Sequence, residues 1–109
     1  MRLLLDHCVP RTFAKLLPGH HIETTRKRNW EALSDGALLD VMQADFDALI
    51  TVDRSLRWQQ NIAMRPIFLV VMIAKTNTLS DLQPLASSVL GALQSASPGD
   101  VIVIGGPTP

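Results

Sequence analysis

Three aspartates stand where carboxylates could act together. Asp6 closes the apolar run RLLLD, Asp53 closes ALITVD, and Asp35 follows Ser34 at the head of the segment SDGALLDVM. If the first two runs are neighbouring parallel strands, their carboxylates emerge side by side at the carboxyl edge of the sheet, where open α/β sheets bind ligands. The loop ahead of the Asp35 segment would open on the same rim. Carboxylates that converge repel one another unless a cation sits among them. Mg2+ or Mn2+ suits such a set, being hard, oxygen-seeking and usually left partly hydrated, so that a phosphate oxygen can complete its shell. The plainer alternative for Asp53 is a cap on a short following helix.

The elements that must hold these residues can be read from patterning. RLLLD (2–6), ALITVD (48–53) and PIFLVVMI (66–73) are continuous apolar runs, as expected of strands buried on both faces of a parallel sheet. DVIVIG (100–105) follows a Pro98-Gly99 turn signal, and HHIETT (20–25) alternates like a strand near an edge. Between the runs lie segments of helical period. One starts with Pro10 as its first residue, carries Phe13, Leu16 and Leu17 inward, and stops at Pro18-Gly19. The clearest has Ser34 as N-cap, Asp35 in its first turn and an apolar face of Leu38, Leu39, Val41 and Met42. A third runs from near Ser80 through Leu93, with Pro84 within or at its first turn. Strands alternating with helices predict an α/β fold, a small Rossmann-like three-layer sandwich with a mainly parallel sheet of about five strands. The expected organisation is a single domain over 1–104 and a flexible tail over 105–109.

Composition bounds the rest. A chain of 109 residues holds one core, and 47% hydrophobic against 18% charged residues argues for a folded globule. Ten basic and ten acidic residues cancel, so any electrostatic recognition must come from local segregation of charge. The apolar run from Ile67 to Ala74 is far shorter than the roughly 20 residues of a membrane helix. With one cysteine, Cys8, no intrachain disulfide can form; a soluble, cytoplasmic protein without membrane attachment is expected. A neutral chain rich in apolar residues also invites self-association, most simply as a two-fold homodimer. DHCVPR has none of the glycines of a dinucleotide-binding turn, which argues against a Rossmann oxidoreductase, and no Ser-His-Asp or Cys-His arrangement is persuasive.

LLLDHCVP, LSDGALL, LITVDRSL and RWQQN, in this order and spacing, resemble the short PIN-like proteins related to the PIN-domain nucleases. The likeness spans nearly the whole chain. It implies a ribonuclease-type site dependent on Mg2+ or Mn2+, with Asp6, Asp35 and Asp53 as its catalytic and metal-binding acids, RNA as substrate, and a role as the toxin of a toxin–antitoxin pair whose partner is an antitoxin protein. The family's first motif usually reads Asp-Glu-Asn; His7 and Cys8 stand here instead, removing a carboxylate beside Asp6. Many PIN nucleases also carry a further acid after the third-strand aspartate, where this chain has Ser55 and Arg57. On this reading Ser55 bonds a ligand water or the metal shell, and Arg54 or Arg57 meets phosphate oxygens. A binding module that keeps the fold without turnover is the alternative, and receiver-like phosphoryl chemistry on one aspartate is a weaker third.

The remaining polar residues have plainer readings. TRKRNW (25–30) sets three cations beside a ring, a pattern suited to single-stranded RNA but more commonly a solvated loop. Trp30 then staples that loop to the next helix, and Trp58 packs half-buried. His20 and His21 lack zinc-site spacing. His7 adjoins Asp6 where the strand turns, within reach of the cleft as ligand or general base. Gln59, Gln60 and Asn61 hold backbone groups ahead of Pro66.

Overall fold

The computed structural model describes residues 1–56 and 61–106. Five strands, β1 (Arg2–Leu5), β2 (His21–Thr24), β3 (Ala48–Thr51), β4 (Phe68–Ile73) and β5 (Val101–Gly105), form one sheet in the order β2-β1-β3-β4-β5. Every neighbouring pair is parallel. The apolar runs are continuous because both faces are covered. Leu3 and Leu5 of β1, Ala48 and Ile50 of β3, and Phe68, Val70 and Met72 of β4 face one layer. Leu4, Leu49, Leu69 and Val71 face the other. Each fully buried aliphatic side chain contributes about 1.5–3 kcal/mol, so period-two burial on two faces fixes the register of the central strands.

The first layer holds a 3-10 helix (Arg11–Leu16) that buries Phe13, together with α2 (Leu79–Leu82) and α3 (Ala86–Ser95). The second holds α1 (Asp35–Met42), which buries Leu38, Leu39 and Met42, and the segment carrying Leu56 and Ile62. The small Rossmann-like three-layer sandwich read from the sequence is therefore the fold. α1 starts as its cap dictates: the Ser34 hydroxyl oxygen accepts from the Ala37 amide at 3.4 Å.

Three local features differ from the sequence reading. The segment after Pro10 is a 3-10 helix that begins at Arg11, with Pro10 flanking it. The long helix expected from Ser80 is three pieces, with a 3-10 turn over Gln83–Leu85 between α2 and α3. Pro84 has no amide proton to donate back along the helix and its ring crowds the preceding turn, which breaks the α-helical ladder there. The third difference is at the carboxyl terminus. Gly105 completes β5, and the Gly106 amide donates to the Ile73 carbonyl at 3.0 Å, so neither belongs to a frayed tail. Gly105 has φ +83, and a Cβ there would run into the Ile73 carbonyl, so only glycine fits. Residues 107–109 lie outside the described residues.

β1 sits between β2 and β3, and the chain leaves these neighbours towards opposite faces. After β1 it enters the layer of Phe13; after β3 it enters the layer of Leu56. That divergence makes the carboxyl ends of β1 and β3 the topological switch point, where such sheets bind ligands.

Candidate functional site

Asp6 stands at that switch point. Its amide donates to the Ile50 carbonyl at 2.9 Å, extending the β1–β3 ladder by one bond and locking the residue at the strand end. The side chain is buried, only 7% exposed, and its oxygens are shared between two neighbours. Oδ2 accepts from the Thr51 hydroxyl at 2.8 Å, and Oδ1 accepts from the His7 amide at 2.9 Å and lies 3.1 Å from His7 Nδ1. His7 is half exposed and leans on the carboxylate rather than away from it.

Thr51 is the residue sequence reasoning missed. It is fully buried at the end of β3, and its hydroxyl both donates to Asp6 and accepts from the Asp53 amide at 3.0 Å. The Cys8 thiol lies 3.6 Å from the same oxygen. One hydroxyl thus couples the end of β1 to the turn that presents Asp53. The signal available in the sequence was a lone hydroxyl inside ALITV, since a polar group buried in an apolar strand must find a partner. Burial pushes the Cys8 thiol above its ordinary pKa, with a further push from the Asp6 charge, which makes it a weak nucleophile.

Asp53 adopts part of its plainer role. Its Oδ1 accepts from the Ser55 hydroxyl at 2.6 Å and from the Ser55 amide at 3.0 Å, a turn-closing arrangement. Ser55 therefore binds Asp53 directly. Asp35 lies in the first turn of α1. Its carboxyl is raised above the usual range by burial first, then by the charges of Asp53 and Asp6, with His7 opposing. Asp35 therefore feels the charges of Asp53 and Asp6. Among the described residues none of the three forms an ion pair with lysine or arginine.

Among the described residues, no group of three Asp, Glu, His or Cys side chains stands close enough to share an ion. Mg2+ commonly takes one or two carboxylates and completes its shell with water. The donor chemistry of Asp6, Asp35 and Asp53, oxygen-only and mutually repelling, fits a hydrated hard cation of that kind. It does not fit a closed zinc site.

The arginines divide. Arg54 is exposed and lines a separate hollow with Ile73, Ala74, Lys75 and Gly106, towards β4 and β5. Arg57, Trp58, Gln59 and Gln60 lie outside the described residues. In TRKRNW, Arg28 folds inward: it donates to Glu23 at 2.8 and 2.9 Å and to Asp45 at 3.0 Å, and its guanidinium lies 4.9 Å from the Phe46 ring centroid and 5.3 Å from that of Trp30. Trp30 meets Phe46 edge to face at 6.2 Å and packs on the second core layer, a staple rather than a base platform. Glu23 is held down at about 2 by Arg28 and His21.

No helix among the described residues is long and apolar enough to cross a membrane. No family model matches the chain, and neither a curated protein nor a solved structure matches it.

Proposed function

We propose that Asp6, Asp35 and Asp53 are the centre of a divalent-cation-dependent ribonuclease that hydrolyses RNA phosphodiesters. The observation that carries this reading is that Asp6 and Asp53, just past the ends of the paired strands β1 and β3, are tied through one Thr51 hydroxyl at the switch point of a parallel sheet, with the Asp35 carboxyl within reach of both charges. One or two of Asp6, Asp35 and Asp53 would ligate Mg2+ or Mn2+ directly and the rest through its waters; the ion would neutralise phosphate charge and acidify a water. The chain's own residues set the stage. Thr51 orients Asp6 and the Asp53 backbone, Ser55 orients the Asp53 carboxylate, and His7, whose Nδ1–H donates to Asp6, has Nε2 left to take or give a proton. The likeness to PIN-like chains supports the same chemistry and adds the toxin role, an antitoxin partner and a cytoplasmic setting.

The test is cleavage of a mixed-sequence RNA by the purified protein. The expected result is cutting with Mn2+ that stops with chelator and falls at least 100-fold in Asp53→Asn. A protein that cuts no RNA with Mn2+ or Mg2+, or an Asp53→Asn variant that cuts as fast as the parent, overturns it. A second reading, a module that binds without turnover, draws on the direct contact of Asp6 with His7 and Thr51, which already occupy both of its oxygens.

A further inference from the structure

Beside Asp6, along β2, lies a groove of about 600 Å³. Val9, Pro10, Ala14 and Ile22 line its apolar part, and Arg11, Arg26 and Lys27 supply its cations. We infer that this groove seats an unpaired nucleotide of single-stranded RNA next to Asp6, its base against the aliphatic surface and its flanking phosphates on Arg11, Arg26 and Lys27. The inference names the substrate of the proposed ribonuclease site and rests on that reading.

Charge and shape carry it. The fold sorts the cations of TRKRNW: Arg28 is spent on Glu23 and Asp45, whereas Arg26 and Lys27 are exposed on the groove. Asn29 adopts a left-handed φ of 60, which turns the chain back so that the Trp30 amide reaches the Thr25 carbonyl at 2.9 Å. Arg11 and Arg26 form no side-chain hydrogen bond or ion pair among the described residues, and Lys27 reaches Glu23 only at 3.9 Å. Of the groove's two carboxylates Glu23 is paired with Arg28, so Arg11, Arg26 and Lys27 face the single charge of Asp6. The remaining charge is positive, so an anion is the complementary ligand. A concave site of this volume takes one drug-sized group, as expected of a single base and sugar. A base reaches an aliphatic surface at the end of a sheet only when it is splayed out of a helix, which selects single strands over duplex. Among the described residues His7 is the one aromatic ring that lines the groove, and a stacking ring accepts any base because every base has a π face, so binding should tolerate any base.

The test uses the full chain in chelator, so that binding is separated from cleavage. A fluorescent ten-nucleotide single-stranded RNA and the same sequence as a duplex are titrated by anisotropy from 50 to 200 mM salt. The single strand is expected to bind at least tenfold more tightly. Arg11→Ala/Arg26→Ala should lose about 1.4 units of slope in log affinity against log salt, two phosphate contacts at about 0.7 each. Lys15→Ala, on the same 3-10 helix but outside the groove, should leave the slope unchanged, and melting curves confirm that the variants fold. Equal binding of duplex and single strand, a double variant with the parental slope, or capture of an acidic peptide with no RNA binding overturns the inference. If the double variant binds as the parent does while Mn2+-dependent cutting persists, the groove assignment alone fails. If strand binding depends on Arg11 and Arg26 but no metal cuts RNA, the ribonuclease reading alone fails.

Discussion

Replacing Thr51 by valine should unfasten the two halves of the acidic site without changing the shape of the core. The substitution keeps a β-branched side chain of the same volume in a fully buried position. It removes the hydroxyl that donates to Asp6 at 2.8 Å and accepts from the Asp53 amide at 3.0 Å. A hydrogen bond to a charged group contributes about 1.5–3 kcal/mol, and an amide left without its acceptor costs about 1–3 kcal/mol. Water can reach the half-buried Asp53 amide, which places the combined loss at about 2–4 kcal/mol. In a chain of this size about 3 kcal/mol lowers the melting midpoint by roughly 12 °C. Thr51→Ser separates the two contributions, since it keeps the hydroxyl and gives up one methyl, a loss of about 1 kcal/mol. The assay is urea unfolding of the parent and both variants, with equal m-values as the check that the transition stays two-state. A valine variant no less stable than the serine variant would refute the bridging role of Thr51.

Two titrations probe the charges. The Asp35 carboxyl, followed by carbon-detected NMR, should titrate above the usual carboxylate range; Asp53→Asn should bring it down while leaving the part that burial causes. A value insensitive to Asp53 would place the two groups in separate environments. Glu23, held at about 2 in the fold against about 4.3 in the unfolded chain, stabilises the protein fully above about pH 4.3. That stabilisation is lost as pH falls towards about 2, so the parent's melting temperature should drop over this window and Glu23→Gln should show a flatter profile; parallel profiles would contradict the Arg28–Glu23 pairing.

Where the sequence determined structure by burial alone, it could be read directly. β1, β3 and β4 announce themselves because both faces are apolar, and α1 because Ser34 and Asp35 suit its first turn. The placing of Asp6 and Asp53 just past the ends of neighbouring strands followed from strand-end logic. Features that depend on distant partners could not be read. Thr51 looks like an ordinary strand residue until Asp6, 45 positions away, supplies its acceptor. Nothing local distinguishes Arg28 from Arg26; the difference is made by Asp45 and Phe46, which the fold brings underneath. For the same reason Arg11 went unnoticed, since only the pairing of β1 with β2 sets it across a groove from Arg26 and Lys27.

The central claim, that one divalent ion sits among Asp6, Asp35 and Asp53 with one or two of them as direct ligands, is tested most directly by titrating substoichiometric Mn2+ into the labelled protein and following every carboxyl resonance. Paramagnetic broadening should strike those three signals together and first, and Asp53→Asn should weaken it at the other two. Broadening that begins at other carboxylates such as Asp45 or Asp100, or that reaches the three aspartates independently, would contradict it.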